Sequence, residues 1–400
     1  MDFAQLCIYG AVVLWIIGEL WEYFPSLDPK WKNISFAVNS FAPAKGSWLS
    51  KQDKPVLVLI NPVAGGGDGA TIGKRIIEPM LEKAGLKAEI IVTERAGHAE
   101  DVVKGMDLAS KCMVLVCGGD STLCEVISGV ATKPEVDMDP VKLKAALAGG
   151  PCIALLPGGT SNGFCKSFGA TAPFDMMKQI LDAPAPRQVD LLQMDIDGKP
   201  ACFDAHVISW AMIADHDRLA EETLRFMGPM LKSLAAPIWV IARAKQYAAR
   251  VGFVPAPGKP PAGYDDPAAM PASEERGPFE GARLVDDEVL LLSACNLAWA
   301  QHDVHLAPGA APDDGAVDVC FIRGGCSRLN ILKTFLGLEK AQQLQQPWFE
   351  TYKVDRLVIE PRAGTSIGTF DTSGKLLKTW GEGCKVAEIR SLPKALKTLV

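Results

Sequence analysis

From Val56 onward, short apolar runs alternate with segments whose apolar residues recur at helical spacing. Val56–Ile60 is an unbroken apolar run of strand length. Beyond it, Ile72, Ile76, Ile77, Met80 and Leu81 share one face of a helix expected over 70–84, and Gly85 ends it. The same reading places strands at 88–92, 113–117 and 152–156, with helices at 99–106 and 121–130 between them. Strands alternating with helices predict a doubly wound α/β domain, its parallel sheet covered on both faces, over residues 54–186.

After Pro186 the pattern changes. Runs at 189–196, 201–208, 289–298, 317–322 and 356–360 look like strands with no helix between most of them. They predict an antiparallel β-sandwich domain over 187–400. Helical insertions are expected at 218–250 and 328–345. Residues 255–281 are rich in Pro, Gly and Ala, lack apolar periodicity, and are expected to form a long mobile loop.

With 400 residues the chain is too long for one ordinary core, and 48% apolar content excludes disorder throughout. A formal net charge of −6 gives no basic face for nucleic acid, so no nucleic-acid partner is expected. The eleven cysteines show no paired spacing and read as reduced core thiols of a cytoplasmic protein. Residues 1–53 form a separate segment. Its apolar stretch, Leu6 to Gly18, is short of the roughly twenty residues a membrane span needs. Trp15, Trp21, Tyr23 and Phe24 suit a membrane surface, while a helix packed on the body of the protein is the alternative.

Three strand ends run into glycine turns. The first is Asn61-Pro62-Val63-Ala64-Gly65-Gly66-Gly67, the second Gly118-Gly119-Asp120-Ser121-Thr122, the third Pro157-Gly158-Gly159-Thr160-Ser161-Asn162. Glycines let backbone N–H groups approach a phosphate, and in open α/β sheets ligands bind beyond the carboxyl ends of the strands. One such turn can be a mere connection. Three in succession argue for a nucleotide site. Asp120 stands where a carboxylate could take a proton from an attacking hydroxyl; a helix cap is its other reading.

This ordered set resembles the catalytic domain of the diacylglycerol kinases, a superfamily of lipid kinases. Thr93-Glu94-Arg95 with His98-Ala99, the run Ser209–Asp217, Arg225-Phe226-Met227-Gly228 and the segment 332–344 are similar to the sphingosine kinase branch. The resemblance implies transfer of a phosphoryl group from ATP, with Mg²⁺, to the primary hydroxyl of a sphingoid base at a membrane surface. It implies nucleotide contacts from Asn61, Pro62, Val63, Thr93, Glu94, Arg95, Ala96, Gly97, Glu125, Gly159, Thr160, Ser161 and Arg225. Asp120 would be the general base, with Gly118, Gly119 and Ser121 beside the substrate. Asp217, or its neighbour Asp215, would bind the amine of the lipid. No metal ligand is assigned.

The chain departs from the family pattern in three places. Ser121 stands where a second glycine follows the aspartate. Asp371-Thr372-Ser373-Gly374-Lys375 replaces an Asp-Gly-Glu, leaving Asp371 as a nucleotide or Mg²⁺ contact. The arginine that would pair with Arg225 has no counterpart, although Lys232 is near. Kinases of ceramide, diacylglycerol or NAD, and a non-catalytic binding protein, are the competing readings.

Overall fold

The structure, a computed structural model, describes residues 29–219, 241–258, 260–362, 368–377, 381 and 383–400. The N-terminal apolar run, Arg225, Lys232 and most of the first expected insertion lie outside the described residues.

The first sheet contains β1 (Val56–Ile60), β2 (Ala88–Val92), β3 (Met113–Gly118) and β4 (Cys152–Pro157). All pair in parallel, in the order β2-β1-β3-β4. β1, β3 and β4 are buried along their whole length, so each reads as a continuous apolar run. Burying one Val or Leu side chain contributes about 1.5–3 kcal/mol, which makes these runs the anchor of the domain. β2 is the edge strand and stays mostly exposed. The chain winds outward from β1 in one direction and from β3 in the other. The switch point, where such sheets open a crevice, therefore lies between the ends of β1 and β3.

The first domain also contains three helices beyond those expected: Pro140–Gly149, Gly163–Ser167 and Pro173–Asp182. The first starts at an Asp-Pro pair, and Asp139 Oδ1 accepts hydrogen bonds from the Val141 and Lys142 amides.

The second domain contains β5 (Arg187–Ile196), β6 (Lys199–Asp204), β7 (Val207–Ala211), β8 (Tyr247–Pro255), β9 (Arg283–Cys295), β10 (Val317–Arg323), β11 (Glu350–Pro361), β12 (Phe370–Thr372), β13 (Lys375–Leu376) and β14 (Ala387–Thr398). Hydrogen bonds join all ten into one antiparallel sheet, ordered β13-β12-β7-β9-β10-β11-β14-β5-β6. β8 pairs with both β9 and β11. Each of those two long strands pairs with β10 along one half and β8 along the other, so the sheet turns over on itself. Trp210, Tyr247, Phe253, Phe321 and Phe370 fill the interior, a core built from strand residues alone among the described residues.

Two expected elements differ. The strand expected over 201–208 breaks between β6 and β7, because Asp204 Oδ1 accepts the His206 amide at 2.7 Å and turns the chain. The insertion expected to reach Arg250 gives way at Tyr247 to β8, whose alternate residues Tyr247, Ala249, Val251 and Phe253 face the core. The described residues of 256–281 include two short 3₁₀ turns and an isolated bridge from Ala272 to Arg283, and they are fastened. Phe279 is buried against Ala282 and Val358, and Asp265 exchanges hydrogen bonds with Thr351. Strand β14 pairs with β5, and its Leu396 and the following Leu399 enter the core of the first domain.

Candidate active site

The loops after all four parallel strands meet at one edge of the first sheet. The glycine turns interlock there. A Cβ on Gly159 would lie 2.5 Å from Gly119 Cα, and one on Gly65 would lie 2.7 Å from the Gly158 carbonyl oxygen. Glycine is required because three backbones share a space that no side chain can enter. Gly158 and Gly159 both donate their amides to the Gly118 carbonyl, at 2.9 and 3.1 Å, and Gly159 also donates to Asn162 Oδ1. These amides therefore stitch the turns together instead of standing open. Thr160 is exposed and Ser161 half-buried on the cleft rim.

Asp120 is buried, and its carboxylate accepts the Gly163 amide at 2.9 Å and the Phe164 amide at 3.1 Å. It opens its own helix, Asp120–Ala131, yet caps a different one, Gly163–Ser167. Two charge-assisted bonds fix the plane of the carboxylate, and each oxygen keeps a second lone pair for an incoming hydroxyl. Asn61 Oδ1 accepts the Val63 amide and Asn61 Nδ2 donates to Thr122 Oγ, tying the first turn to the helix that begins with Asp120. Glu125, one turn along that helix, accepts the Gly97 amide at 2.9 Å and so gathers the loop 93–97 to the cleft. Thr93 is buried with its amide on the Ile60 carbonyl; Glu94, Arg95 and Ala96 are exposed, and Arg95 pairs with Asp101. Pro62 is half-buried and Val63 is largely exposed.

The second domain closes the other side. The turn between β12 and β13 brings Gly374 within 3.9 Å of Ser121, measured from a built Cβ, and Thr372 Oγ lies 3.8 Å from Cys124 Sγ. Lys375 reaches Glu100 of the first domain at 2.9 Å. Burial opposes the Lys375 charge, but Glu100 and neighbouring acids hold its pKa above the usual value. Asp371 is buried, with Oδ2 on the Gly374 amide and Oδ1 unpartnered. Burial, and then the Asp217 carboxylate beside it, pushes the Asp371 pKa well up. Asp217 projects from the short helix Met212–Arg218, half-buried, with His216 Nδ1 3.0 Å away. Asp215 is already engaged: Tyr247 donates its hydroxyl to Oδ2 at 2.6 Å, and Arg218 lies 3.6 Å from Oδ1.

The first glycine turn, the loop 93–97, Asp120, Ser121, Glu125, the third turn and the β12–β13 turn thus meet where the two domains approach, with Asp217 beside Asp371, while Asp215 serves Tyr247. No local pattern announced His206. It is buried, with Nε2 2.6 Å from the Trp299 carbonyl, and packed so tightly on Gly163 that a Cβ there would meet its ring at 2.6 Å. Glu100 and Lys375 were equally silent, since only the approach of the two domains pairs them.

Residues 55–194 match the diacylglycerol kinase catalytic domain. The chain is 26% identical over 347 residues to sphingosine kinase 2 of Arabidopsis thaliana, covering 81% of this chain and 69% of that one. It is 24% identical over 342 residues to human sphingosine kinase 1, covering 80% and 86%. Mouse ceramide kinase is 22% identical over 335 residues, covering 77% and 62%. A crystal structure of a diacylglycerol kinase from Bacillus anthracis shares the fold, with a TM-score of 0.55 at 17% identity, covering 87% of this chain and 98% of that one. The fold, the interlocked turns and the matched domain together define a lipid kinase with a diacylglycerol kinase catalytic domain. Over about four fifths of its length the chain is similar to sphingosine kinases.

Proposed function

We propose that the protein transfers the γ-phosphoryl group of ATP to the primary hydroxyl of a sphingoid base. The observation that carries this reading is the Asp217–Asp371 pair, two neighbouring carboxylates one turn away from Ser121 and Asp120. Burial first, and the neighbouring Asp217 carboxylate second, make a negative charge on Asp371 costly, and a cation beside the pair relieves that cost. A lipid ammonium is such a cation. Its hydroxyl, a few bonds away, would then face the Asp120 carboxylate. The occupied oxygens of Asp215 favour Asp217 as the amine ligand.

Asp120 would accept the hydroxyl proton as the oxygen attacks the γ-phosphorus and the bond to the β-phosphate oxygen breaks. The first turn, the loop 93–97 and the third turn would hold the nucleotide, with Glu125 bracing the loop and Arg225 reaching the phosphates. Among the described residues no group of three or more His, Cys, Asp or Glu side chains is arranged to hold a metal ion. That suits Mg²⁺ carried on the nucleotide phosphates, which needs only one or two protein carboxylates and no cage of its own. When bound it would neutralise phosphate charge.

The test is a steady-state comparison of sphingoid base, ceramide and diacylglycerol with the wild type and with Asp217→Asn. Losing a charge-assisted bond of about 1.5–3 kcal/mol should raise the KM for the sphingoid base roughly ten- to hundredfold and leave the KM for ATP unchanged. A wild type that prefers ceramide or diacylglycerol overturns the substrate assignment.

A further inference from the structure

The helix Arg328–Gly337 buries one face and leaves an apolar stripe on the other. Ile331 and Thr334 point inward, and Phe335 packs on the same cluster. Leu329, Leu332 and Leu336 point outward at 61%, 42% and 78% exposure. Their spacing, three and then four residues, puts them on one line along the helix. Single exposed leucines need no explanation, but three of the large exposed side chains gathered on ten residues form a patch.

The surroundings of the stripe identify its occupant. Arg328, Lys333, Glu339 and Lys340 are all exposed, so residues 328–340 carry 3 − 1 = +2, whereas the whole chain carries −6. Leucines bordered by cations fit a surface of anionic lipid, where the apolar face enters the acyl boundary and the cations meet headgroups. The inner face of the helix belongs to the cluster that also holds Met212 and Ile213, on the helix carrying Asp217. A bilayer under the stripe would thus lie beside the lipid-binding half of the cleft.

We infer that the outer face of Arg328–Gly337 is a docking surface for anionic membranes, seating the cleft on the bilayer that contains its substrate. The inference is independent of which lipid is phosphorylated. It is also separate from any contribution of the N-terminal segment, because the readout is local to this helix.

Hydrogen–deuterium exchange of the full chain is measured alone, with phosphatidylcholine vesicles, and with vesicles that also contain phosphatidylserine. Protection of 328–337 is expected with the anionic vesicles and less or none with the neutral ones. In parallel, Leu329→Gln/Leu332→Gln/Leu336→Gln is assayed with a short-chain soluble substrate and with vesicle-borne substrate. Removing three apolar side chains should lower turnover on vesicles at least about tenfold and leave soluble-substrate turnover and melting temperature near wild type. No vesicle-dependent protection overturns the inference. Protection that rises with protein concentration in the absence of vesicles also overturns it, because a second copy would then be the occupant.

Discussion

Replacing Gly159 by alanine tests whether the glycine turns work as one interlocked unit. The φ of Gly159 lies outside the left-handed region, so the substitution probes space alone. The new methyl would meet Gly119 Cα at 2.5 Å and Gly119 N at 3.1 Å, whereas ordinary contact begins at 3.4 Å. Both neighbours are backbone, which has no rotamer to escape into, so the second and third turns must part by about 1 Å. Overpacking of this kind costs about 1–3 kcal/mol, and each kcal/mol lowers Tm by about 2–4 °C in domains of this size. Activity should suffer more, because the same shift moves Asp120 away from the amides of Gly163 and Phe164 that orient it. Misplacement by about 1 Å costs roughly a hundredfold in rate. The control is Gly66→Ala in the first turn, where a Cβ meets nothing within 4 Å. The assay pairs initial rates with labelled ATP and saturating lipid with calorimetric Tm. The reasoning fails if Gly159→Ala retains wild-type turnover, or if Gly66→Ala is equally damaging.

Asp120→Asn should keep Tm and nucleotide affinity while turnover drops at least about a hundredfold, and an unchanged rate removes Asp120 from the base role. Lys375→Gln and Glu100→Gln should each cost under about 1 kcal/mol, since the pair is part-exposed, and their effects should not add in a double-mutant cycle; full additivity denies that the ion pair couples the domains. Burial pushes the Asp318 pKa up to about 6, against the pull of Lys353. A folded pKa above the unfolded 3.8 gives stability that is present below about pH 4 and lost as pH rises through 6, worth roughly 3 kcal/mol over that window. Asp318→Asn should abolish this dependence, and a constant Tm gap between wild type and variant from pH 4 to 7 contradicts it.

The first domain was legible in the chain because its signals are local. Strands buried on both faces must be apolar throughout, so β1, β3 and β4 stand out unaided, and their glycine turns follow directly. The order Asn61-Pro62, Gly118-Gly119-Asp120, Gly158-Gly159-Thr160 therefore marks both the α/β class and the turns that interlock at the edge of the first sheet. Eight cysteines among the described residues are buried. The second domain was less legible because antiparallel pairing is non-local. Nothing near Tyr247 tells it to leave a helical insertion and pair with residues 283–289 and 354–361. The break at Ala205-His206 depends on one side-chain hydrogen bond.

The sequence alone sets the groups and their order along the chain: a carboxylate after two glycines, three glycine turns in succession, two aspartates two residues apart. Which of them can act together is set by the packing of the two domains. Asp120 orients on amides forty-three and forty-four residues away. Asp215 is taken by Tyr247, while Asp217 is left to face Asp371, a residue from a hairpin far along the chain. A carboxylate's chemistry depends on its partners and its burial, and those are set by which strands pair and how closely two backbones approach.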